Sequence, residues 1–259
     1  MEWNSLSEQK FASLKVFRYR PEHSTEPSYA TYKVPCKTDS MVLDLLNYIK
    51  DRVDGSLTFR WSCRMGVCGS CGALVNGVPR LTCAIYVSEF AGKEIVIEPL
   101  THFPVIKDLV VDIGDFTEKL RQVKPFLLRD DTKTLDTGEY RQTPEELESY
   151  RQASMCINCM LCMQACPIYG VDKSFLGPAT LALGFRYVMD SRDRGTDERL
   201  SILASGDGVL KCTFDGDCSR VCPKHVDPAF TIQRLKIMGA TGMKSLPGMQ
   251  VRKKGEKSE

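Results

Sequence analysis

The sequence predicts an α+β protein in two parts, with a small mixed β-sheet and one helix over residues 1–115 and an all-helical region over residues 143–243. Short runs of β-branched and aromatic residues around a single helical period predict the first part. Repeated helix-start signals predict the second part. Residues 116–142 are polar and charged and are predicted to be a linker, and the basic residues 244–259 are predicted to be a disordered tail.

Strand-forming runs at residues 14–19 and 29–34 predict the first two strands of the sheet. Over residues 41–53 the apolar side chains recur at helical spacing, and Asp39 or Ser40 is available as the N-cap. This segment is therefore predicted to be an amphipathic helix that packs on the sheet.

Turn and capping residues locate the other elements. Asn76 and Gly77 form the pair that most readily takes positive φ at both central turn positions, so they predict a two-residue hairpin. Thr143, Pro144 and Glu146 have the pattern of a capping box and predict a helix that runs toward Cys156. The remaining predicted elements are strands at residues 73–75, 78–81 and 94–98 and helices at residues 178–189 and 228–238.

Charge and hydropathy exclude two classes of protein. The chain of 259 residues has 35 Lys and Arg against 33 Asp and Glu, so its net formal charge of +2 gives no basic field for binding nucleic acid by charge alone. It has no run of 18 apolar residues and no charged-then-apolar leader, which predicts a soluble, cytoplasmic protein. Most of its 12 cysteines are clustered, which favours metal ligation over disulfides.

The first cysteine cluster has the spacing of plant-type [2Fe-2S] proteins, three thiolates in a tight loop and a fourth eleven residues later. Glycines alternate with the loop cysteines, as expected where backbone curls closely around a cluster and directs N–H groups at its sulfurs. The alternative is a zinc site, which usually repeats a Cys-x2-Cys knuckle that this loop lacks. The predicted ligands are Cys63, Cys68, Cys71 and Cys83, and the glycines are Gly66, Gly69 and Gly72.

Two further runs predict a pair of clusters that exchange ligands. Residues 156–166 have the bacterial ferredoxin pattern, in which the fourth cysteine serves the other cluster. Residues 212–222 repeat this pattern with Asp215 at the second cysteine position. The crossed assignment gives a [4Fe-4S] site held by Cys156, Cys159, Cys162 and Cys222, and a second site held by Cys166, Cys212 and Cys218.

The second of these sites is one thiolate short and is predicted to hold a [3Fe-4S] cluster. Asp215 is the alternative fourth ligand, although a carboxylate is a harder and weaker partner for iron than a thiolate. Cys36 is isolated and is predicted to be a structural thiol. The three histidines have no partner at ligand spacing and are also predicted to be structural: His23, His102 and His225.

Residues 59–72 (FRWSCRMGVCGSCG), 154–167 (SMCINCMLCMQACP) and 222–228 (CPKHVDP) resemble the iron-sulfur subunits of the succinate dehydrogenase and fumarate reductase family. The resemblance extends over residues 12–240. It implies a β-grasp [2Fe-2S] ferredoxin domain followed by an α-helical ferredoxin domain. It also implies electron relay between FAD on a flavoprotein partner and a quinone at membrane anchor subunits, on the cytoplasmic face of the membrane. Catalytic dicarboxylate chemistry would belong to the flavoprotein, since this chain has no Gly-x-Gly-x-x-Gly fingerprint.

The resemblance further implies residues near the quinone. The quinol:fumarate reductase branch has a Cys-Thr-Phe loop and a later helix with Gln and, three residues on, Lys near menaquinone; the matching residues are Thr213, Phe214, Gln233 and Lys236. A lysine can donate a charge-assisted hydrogen bond to a quinone oxygen. The alternative for Gln233 and Lys236 is a solvated helix face. The ubiquinone-linked branch has His in place of Thr213 and Trp in place of Val171, which favours menaquinone here.

Two rival functions have different requirements. A free-standing carrier that serves several flavoenzymes does not need three clusters with the full family pattern. A thiol-linked fumarate reductase or heterodisulfide-type subunit carries additional cysteine-rich modules, whereas no cysteine follows Cys222. The physiological direction stays open, because succinate oxidation and fumarate reduction use the same relay.

Overall fold

The computed structural model describes residues 10–23, 26–90, 92–129, 136 and 138–242. The chain divides into two compact units, one up to Asp112 together with Cys159–Leu161, the other from Ile113 to Asn158 and from Cys162 onward. The predicted tail at residues 244–259 lies outside the described residues. The predicted domain limits stay predictions.

A mixed five-stranded sheet is the framework of the first unit. Its strands are β1 (Lys10–Arg18), β2 (Ser28–Cys36), β3 (Gly72–Val75), β4 (Val78–Leu81) and β5 (Ile95–Glu98). They lie in the order β2-β1-β5-β3-β4, with β5 parallel to β1 and the other pairs antiparallel. Side chains along β1 alternate between buried and less buried positions, so one face of the sheet covers the core. Every predicted strand is present, and β1 and β2 are longer than predicted.

The predicted helix packs on this sheet as α1 (Val42–Tyr48) and continues as a π-helical turn over Ile49–Val53. Its N-cap is Met41, whose amide donates to Asp44 Oδ2 at 2.9 Å, and not Asp39 or Ser40. The hydroxyl oxygen of Ser40 instead accepts from the amide of Lys37 at 2.9 Å. The helix contributes four buried side chains to the core formed with the sheet: Val42, Leu45, Leu46 and Ile49.

The hairpin at Asn76 and Gly77 has φ angles of 49° and 77°, which confirms the predicted turn. The sequence did not predict a second, two-stranded sheet of β6 (Val105–Lys107) and β7 (Val110–Val111). Its turn contains no glycine and places Asp108 at φ 46°. The glycine that usually marks such a turn in a sequence is therefore absent here.

Asp108 is fully buried, and its hydrogen bonds connect the second sheet to the residues that precede the first cysteine loop. Its carboxylate accepts from Arg18 Nε at 3.0 Å and from the amides of Tyr19 at 3.0 Å and Thr58 at 2.8 Å. A buried carboxylate that is fully hydrogen-bonded and paired with a guanidinium fixes its partners in place. Thr58 therefore holds the chain in position five residues before Cys63.

The second unit is helical, as predicted. Its helices are α2 (Gly114–Gln122), α3 (Pro144–Glu148), α4 (Arg151–Ser154), α5 (Leu161–Ala165), α6 (Pro167–Val171), α7 (Pro178–Val188), α8 (Thr196–Leu203), α9 (Asp217–Arg220) and α10 (Pro228–Thr241). The structure places α2 in part of the stretch predicted to be a linker. Only Phe116 and Lys119 of its nine residues are buried, too few for a readable apolar period.

Helix caps in the second unit follow the sequence signals. Thr143 Oγ1 accepts from the amide of Glu146 at 3.2 Å, and the Glu146 carboxylate accepts from the amide of Thr143 at 2.8 Å, which confirms the capping box. The helix does not run through to Cys156, since α3 and α4 are separate. At 14 residues, α10 is too short for the apolar core of a bilayer, and none of the helices in the described ranges has the length and apolar character of a membrane span.

Candidate metal centres

The first cysteine loop directs backbone N–H groups at sulfur. The amides of Met65, Val67 and Cys68 donate to Cys63 Sγ at 3.5, 3.3 and 3.3 Å. In return, the amide of Cys63 donates to Cys68 Sγ at 3.5 Å. Hydrogen bonds from N–H groups stabilise a thiolate, which is the form that binds iron.

Backbone conformation explains two of the three loop glycines. Gly66 and Gly69 have φ angles of 65° and 76°, in the left-handed region where a side chain is strained. Gly72 serves a different purpose, because a Cβ there would lie 3.2 Å from the carbonyl oxygen of Cys159, which belongs to the same compact unit. The loop therefore needs glycine for curvature at two positions and for close packing at the third.

The structure brings all four cysteines of the first set together. The pKa of the Cys68 thiol is lowered to about 6, because the amides of Cys63 and Ser70 donate to its sulfur. Burial and the adjacent thiol of Cys71 raise the pKa of Cys83 to about 11, and Cys63 also interacts with Cys83. Each of the four thiols is thus linked to at least one other member of the set.

Electrostatic interactions link five of the remaining cysteines in combinations that the crossed assignment predicts. Burial raises the pKa of Cys218 to about 11, and the thiols of Cys166 and Cys212 contribute to that shift. Burial likewise raises the pKa of Cys156, with a contribution from Cys222, four residues beyond Cys218 in the chain. The ligand roles of these side chains stay predictions.

Cys166, Cys212 and Cys218 line one small cavity, together with Phe214 and Asp215. The Asp215 carboxylate interacts electrostatically with Cys166 and accepts a hydrogen bond from the Thr213 hydroxyl. Three thiols and one engaged carboxylate therefore face the space that an inorganic cluster would fill.

The donors of the three predicted sets are free thiols, which are the usual ligands of iron-sulfur clusters. All twelve cysteines lie within the described residues, and none forms a disulfide. In that same part of the chain, no three His, Cys, Asp or Glu side chains converge closely enough to hold one metal ion. In an iron-sulfur cluster the thiolates bind different irons and surround a larger body, so their sulfurs need not converge on one point.

The four residues matched to the quinone region lie in the second unit. On α10, Lys236 Nζ donates to the carbonyl oxygen of Cys212 at 2.8 Å. Gln233 Nε2 is buried and has no hydrogen-bond partner within the described residues. In the loop after Cys212, the Phe214 side chain is 57% exposed and the backbone has φ 67°. Lys236 and Gln233 therefore do not lie on a simple solvated face, which was the alternative.

Tyr169 was not predicted from the sequence as a site residue, and its amide donates to Cys166 Sγ at 3.5 Å. Cys166 is the N-cap of α6, and its sulfur accepts this bond in the way a capping oxygen does. The signal available in the sequence was the Cys-Pro pair at residues 166–167, since proline favours the first position of a helix.

Comparison with known proteins gives two family matches. Residues 13–118 match the 2Fe-2S iron-sulfur cluster binding domain, and residues 152–226 match the 4Fe-4S dicluster domain. The fumarate reductase iron-sulfur subunit of Mycobacterium tuberculosis (strain CDC 1551 / Oshkosh) is 54% identical over 228 residues, which cover 88% of this chain and 92% of that protein. The corresponding subunit of Haemophilus influenzae is 46% identical over 238 residues, covering 88% and 93%.

A succinate dehydrogenase [ubiquinone] iron-sulfur subunit of Oryza sativa subsp. japonica is 38% identical over 232 residues, covering 88% of this chain and 75% of that one. A chain of the solved Mycobacterium smegmatis Sdh1 complex in the apo form aligns with a TM-score of 0.82 and 29% identity, covering 90% and 96%. Both the β-rich [2Fe-2S] domain and the helical dicluster domain are thereby confirmed. The chain belongs to the iron-sulfur subunits of the fumarate reductase and succinate dehydrogenase family, and is the electron-transfer subunit of such an enzyme.

Proposed function

We propose that this subunit relays electrons between a flavoprotein that carries FAD and a quinone held with membrane anchor subunits, at the cytoplasmic face of the membrane. The observation that carries the proposal is the spacing of eleven cysteines, which predicts sets of four, four and three. Electrostatic interactions of Cys71 with Cys83, of Cys156 with Cys222 and of Cys166 with Cys218 support these sets. When bound, the [2Fe-2S], [4Fe-4S] and [3Fe-4S] clusters supply one-electron centres that connect a two-electron flavin with a two-electron quinone. The thiolates hold these centres, and the surrounding amides and charges set their potentials.

Exposed apolar side chains near the first loop support docking of the flavoprotein there. Met65 is 73% exposed and Val67 is 51% exposed, and both lie in the first cysteine loop. Trp61 lies beside them in sequence, and the Arg64 guanidinium stacks 4.5 Å from its ring centroid. Apolar groups exposed together on a soluble surface commonly mark an interface.

The second unit also has exposed apolar residues, and they lie close in sequence to the cysteines that line the cavity. Val171, Leu210 and Phe214 are 85%, 66% and 57% exposed, and Phe214 lines the cavity. These residues suit contact with hydrophobic anchor subunits and with the ring of menaquinone. Thr213, Gln233 and Lys236 supply the polar groups of that proposed quinone site, in which Gln233 Nε2 is a buried donor without a partner in the described chain.

The three-iron assignment predicts the effect of adding the missing thiolate. In Asp215→Cys, the cavity has four thiols, so we expect a [4Fe-4S] cluster in place of the [3Fe-4S] cluster. EPR of the oxidised complex should then lose its three-iron signal, and iron per subunit should rise by about one from roughly nine.

Asp215→Ser is the matched control, because it removes the carboxylate without adding a thiolate. It should keep the three-iron signal. If the unmodified complex lacks that signal and Asp215→Ser gains it, Asp215 ligates a fourth iron and the three-iron assignment is wrong.

The quinone proposal is tested with Lys236→Leu in the membrane-bound complex. Losing a charge-assisted hydrogen bond to quinone is expected to cost about 1.5–3 kcal/mol, which corresponds to a roughly ten- to hundredfold slower quinone-linked turnover. Succinate oxidation with an artificial dye that accepts electrons ahead of the quinone site should be unchanged.

Lys236→Arg keeps the positive charge and should restore much of the quinone-linked activity. If Lys236→Leu kept both its quinone-linked and its dye-linked activity, the lysine would only hold the carbonyl group of Cys212 and would not bind quinone. Purification of the subunit as a monomer that exchanges electrons with several flavoenzymes would support the free-standing carrier instead.

A further inference from the structure

The buried ring of Tyr169 lies between two lysines and is connected to a ligand sulfur through its backbone. The side chain is 1% exposed. Lys119 Nζ lies 4.7 Å and Lys173 Nζ 4.2 Å from the ring centroid. The amide of the same residue donates to Cys166 Sγ at 3.5 Å. One residue therefore connects a proposed cluster ligand with two ammonium groups.

Hydrogen bonds fix the positions of these charges. Lys119 Nζ donates to Asp115 Oδ2 at 2.7 Å and to the carbonyl oxygen of Lys173 at 2.5 Å. Lys173 Nζ donates to the carbonyl oxygen of Tyr169 at 2.9 Å, and the Tyr169 hydroxyl donates to Asp115 Oδ2 at 2.6 Å. We call these four residues, Asp115, Lys119, Tyr169 and Lys173, the Tyr169 cage.

The cage carries a net charge of about +1, from two ammonium groups and one carboxylate. Burial and the hydrogen bond to Asp115 raise the pKa of Tyr169, so its hydroxyl stays a neutral donor. The Lys119 side chain is only 7% exposed, so solvent and salt screen its charge less than a surface charge.

We propose that the Tyr169 cage raises the reduction potential of the centre held by Cys166, Cys212 and Cys218. Accepting one electron adds a negative charge to that centre. Fixed positive charge and an N–H group directed at a ligand sulfur both stabilise the reduced form more than the oxidised form. Lys119 and Lys173 act here through Tyr169 and Cys166 as positioning and charge-supplying residues, not as ligands. The inference rests on the proposed function, because it assumes a cluster at these cysteines.

The test uses Lys119→Gln, Lys173→Gln and the double variant in the complete, cluster-loaded complex. The EPR signal of the third centre is followed during a redox titration. Each single change should lower the midpoint potential, and the double change should lower it further. Lys119→Gln should have the larger effect, since Lys173 is an exposed residue. The potential of the [2Fe-2S] centre should stay unchanged in all three variants.

Two controls separate charge from structure. Lys173→Arg keeps the charge and should keep the potential. Lys124→Gln removes a lysine from the end of the same α2 region, where its partner is Glu198 and not the cage, and should also leave the potential unchanged. If the two lysines only stabilised the fold, the Gln variants would not lower the midpoint potential while both controls left it unchanged.

Unchanged potentials in the Lys173→Gln and double variants, with full iron content, would overturn the proposal. Should Lys119→Gln fail to assemble, Lys173→Gln alone decides, because its exposed side chain can be replaced without opening the core. The unmodified complex tests the proposed function separately. If its third centre contained four irons, the nuclearity would be wrong, yet the shift between variants would still test the cage.

Discussion

Replacing Cys222 by serine is expected to remove the [4Fe-4S] signal of this subunit while the three-iron signal persists, and Cys166→Ser is expected to do the reverse. The sequence order alone suggests otherwise, because Cys222 lies four residues after Cys218. In the structure, however, Cys222 interacts with Cys156, whereas Cys218 interacts with Cys166. A serine oxygen is a harder donor than a thiolate and a poor substitute at iron.

EPR at successive potentials and iron analysis together measure these losses. Iron per subunit should fall from roughly nine to about five in Cys222→Ser and to about six in Cys166→Ser. Cys36→Ser is the control, since Cys36 ends β2 and lies outside the three sets. Loss of the three-iron signal alone in Cys222→Ser would show that the two runs do not exchange ligands.

The elements that the sequence predicted are those with local signals. The Asn76-Gly77 turn and the Thr143 capping box each depend on residues within a few positions, and each is present. Cysteine spacing belongs to the same class, because cluster geometry limits how many residues separate the ligands in a loop. The sets of cysteines could therefore be proposed without a structure.

The features that the sequence did not predict depend on distant residues. The turn at Asp108 is held by Arg18, 90 residues away, and needs no glycine because buried hydrogen bonds impose its conformation. The Tyr169 cage joins α2 to α6 across 54 residues. Neither arrangement leaves a periodic pattern, since its stability comes from tertiary contacts that no short window of sequence contains.

Arg199→Met is expected to destabilise the second unit by about 3–5 kcal/mol, one of the largest effects of any single change outside the cysteines. The side chains of Arg199 and its ion-pair partner Asp193 are both 0% exposed, with Nη1 and Oδ1 2.5 Å apart. The guanidinium also donates to the carbonyl oxygens of Val123, Lys124 and Phe126. Methionine fills similar space, but it leaves a buried carboxylate without its cationic partner and removes one donor from each of three carbonyl groups.

Thermal unfolding of the cluster-loaded subunit, followed by circular dichroism, should show a midpoint lower by at least about 6 °C in Arg199→Met, since 1 kcal/mol corresponds to about 2–4 °C at this size. Arg194→Met is the matched control, because Arg194 is exposed and a surface substitution usually changes stability by under about 0.5 kcal/mol. Adding Asp193→Asn to Arg199→Met should cost less than the sum of the two single changes, since the double variant no longer buries an unpaired charge. Strictly additive losses would mean that the carbonyl contacts, and not the ion pair, hold residues 123–128 in place.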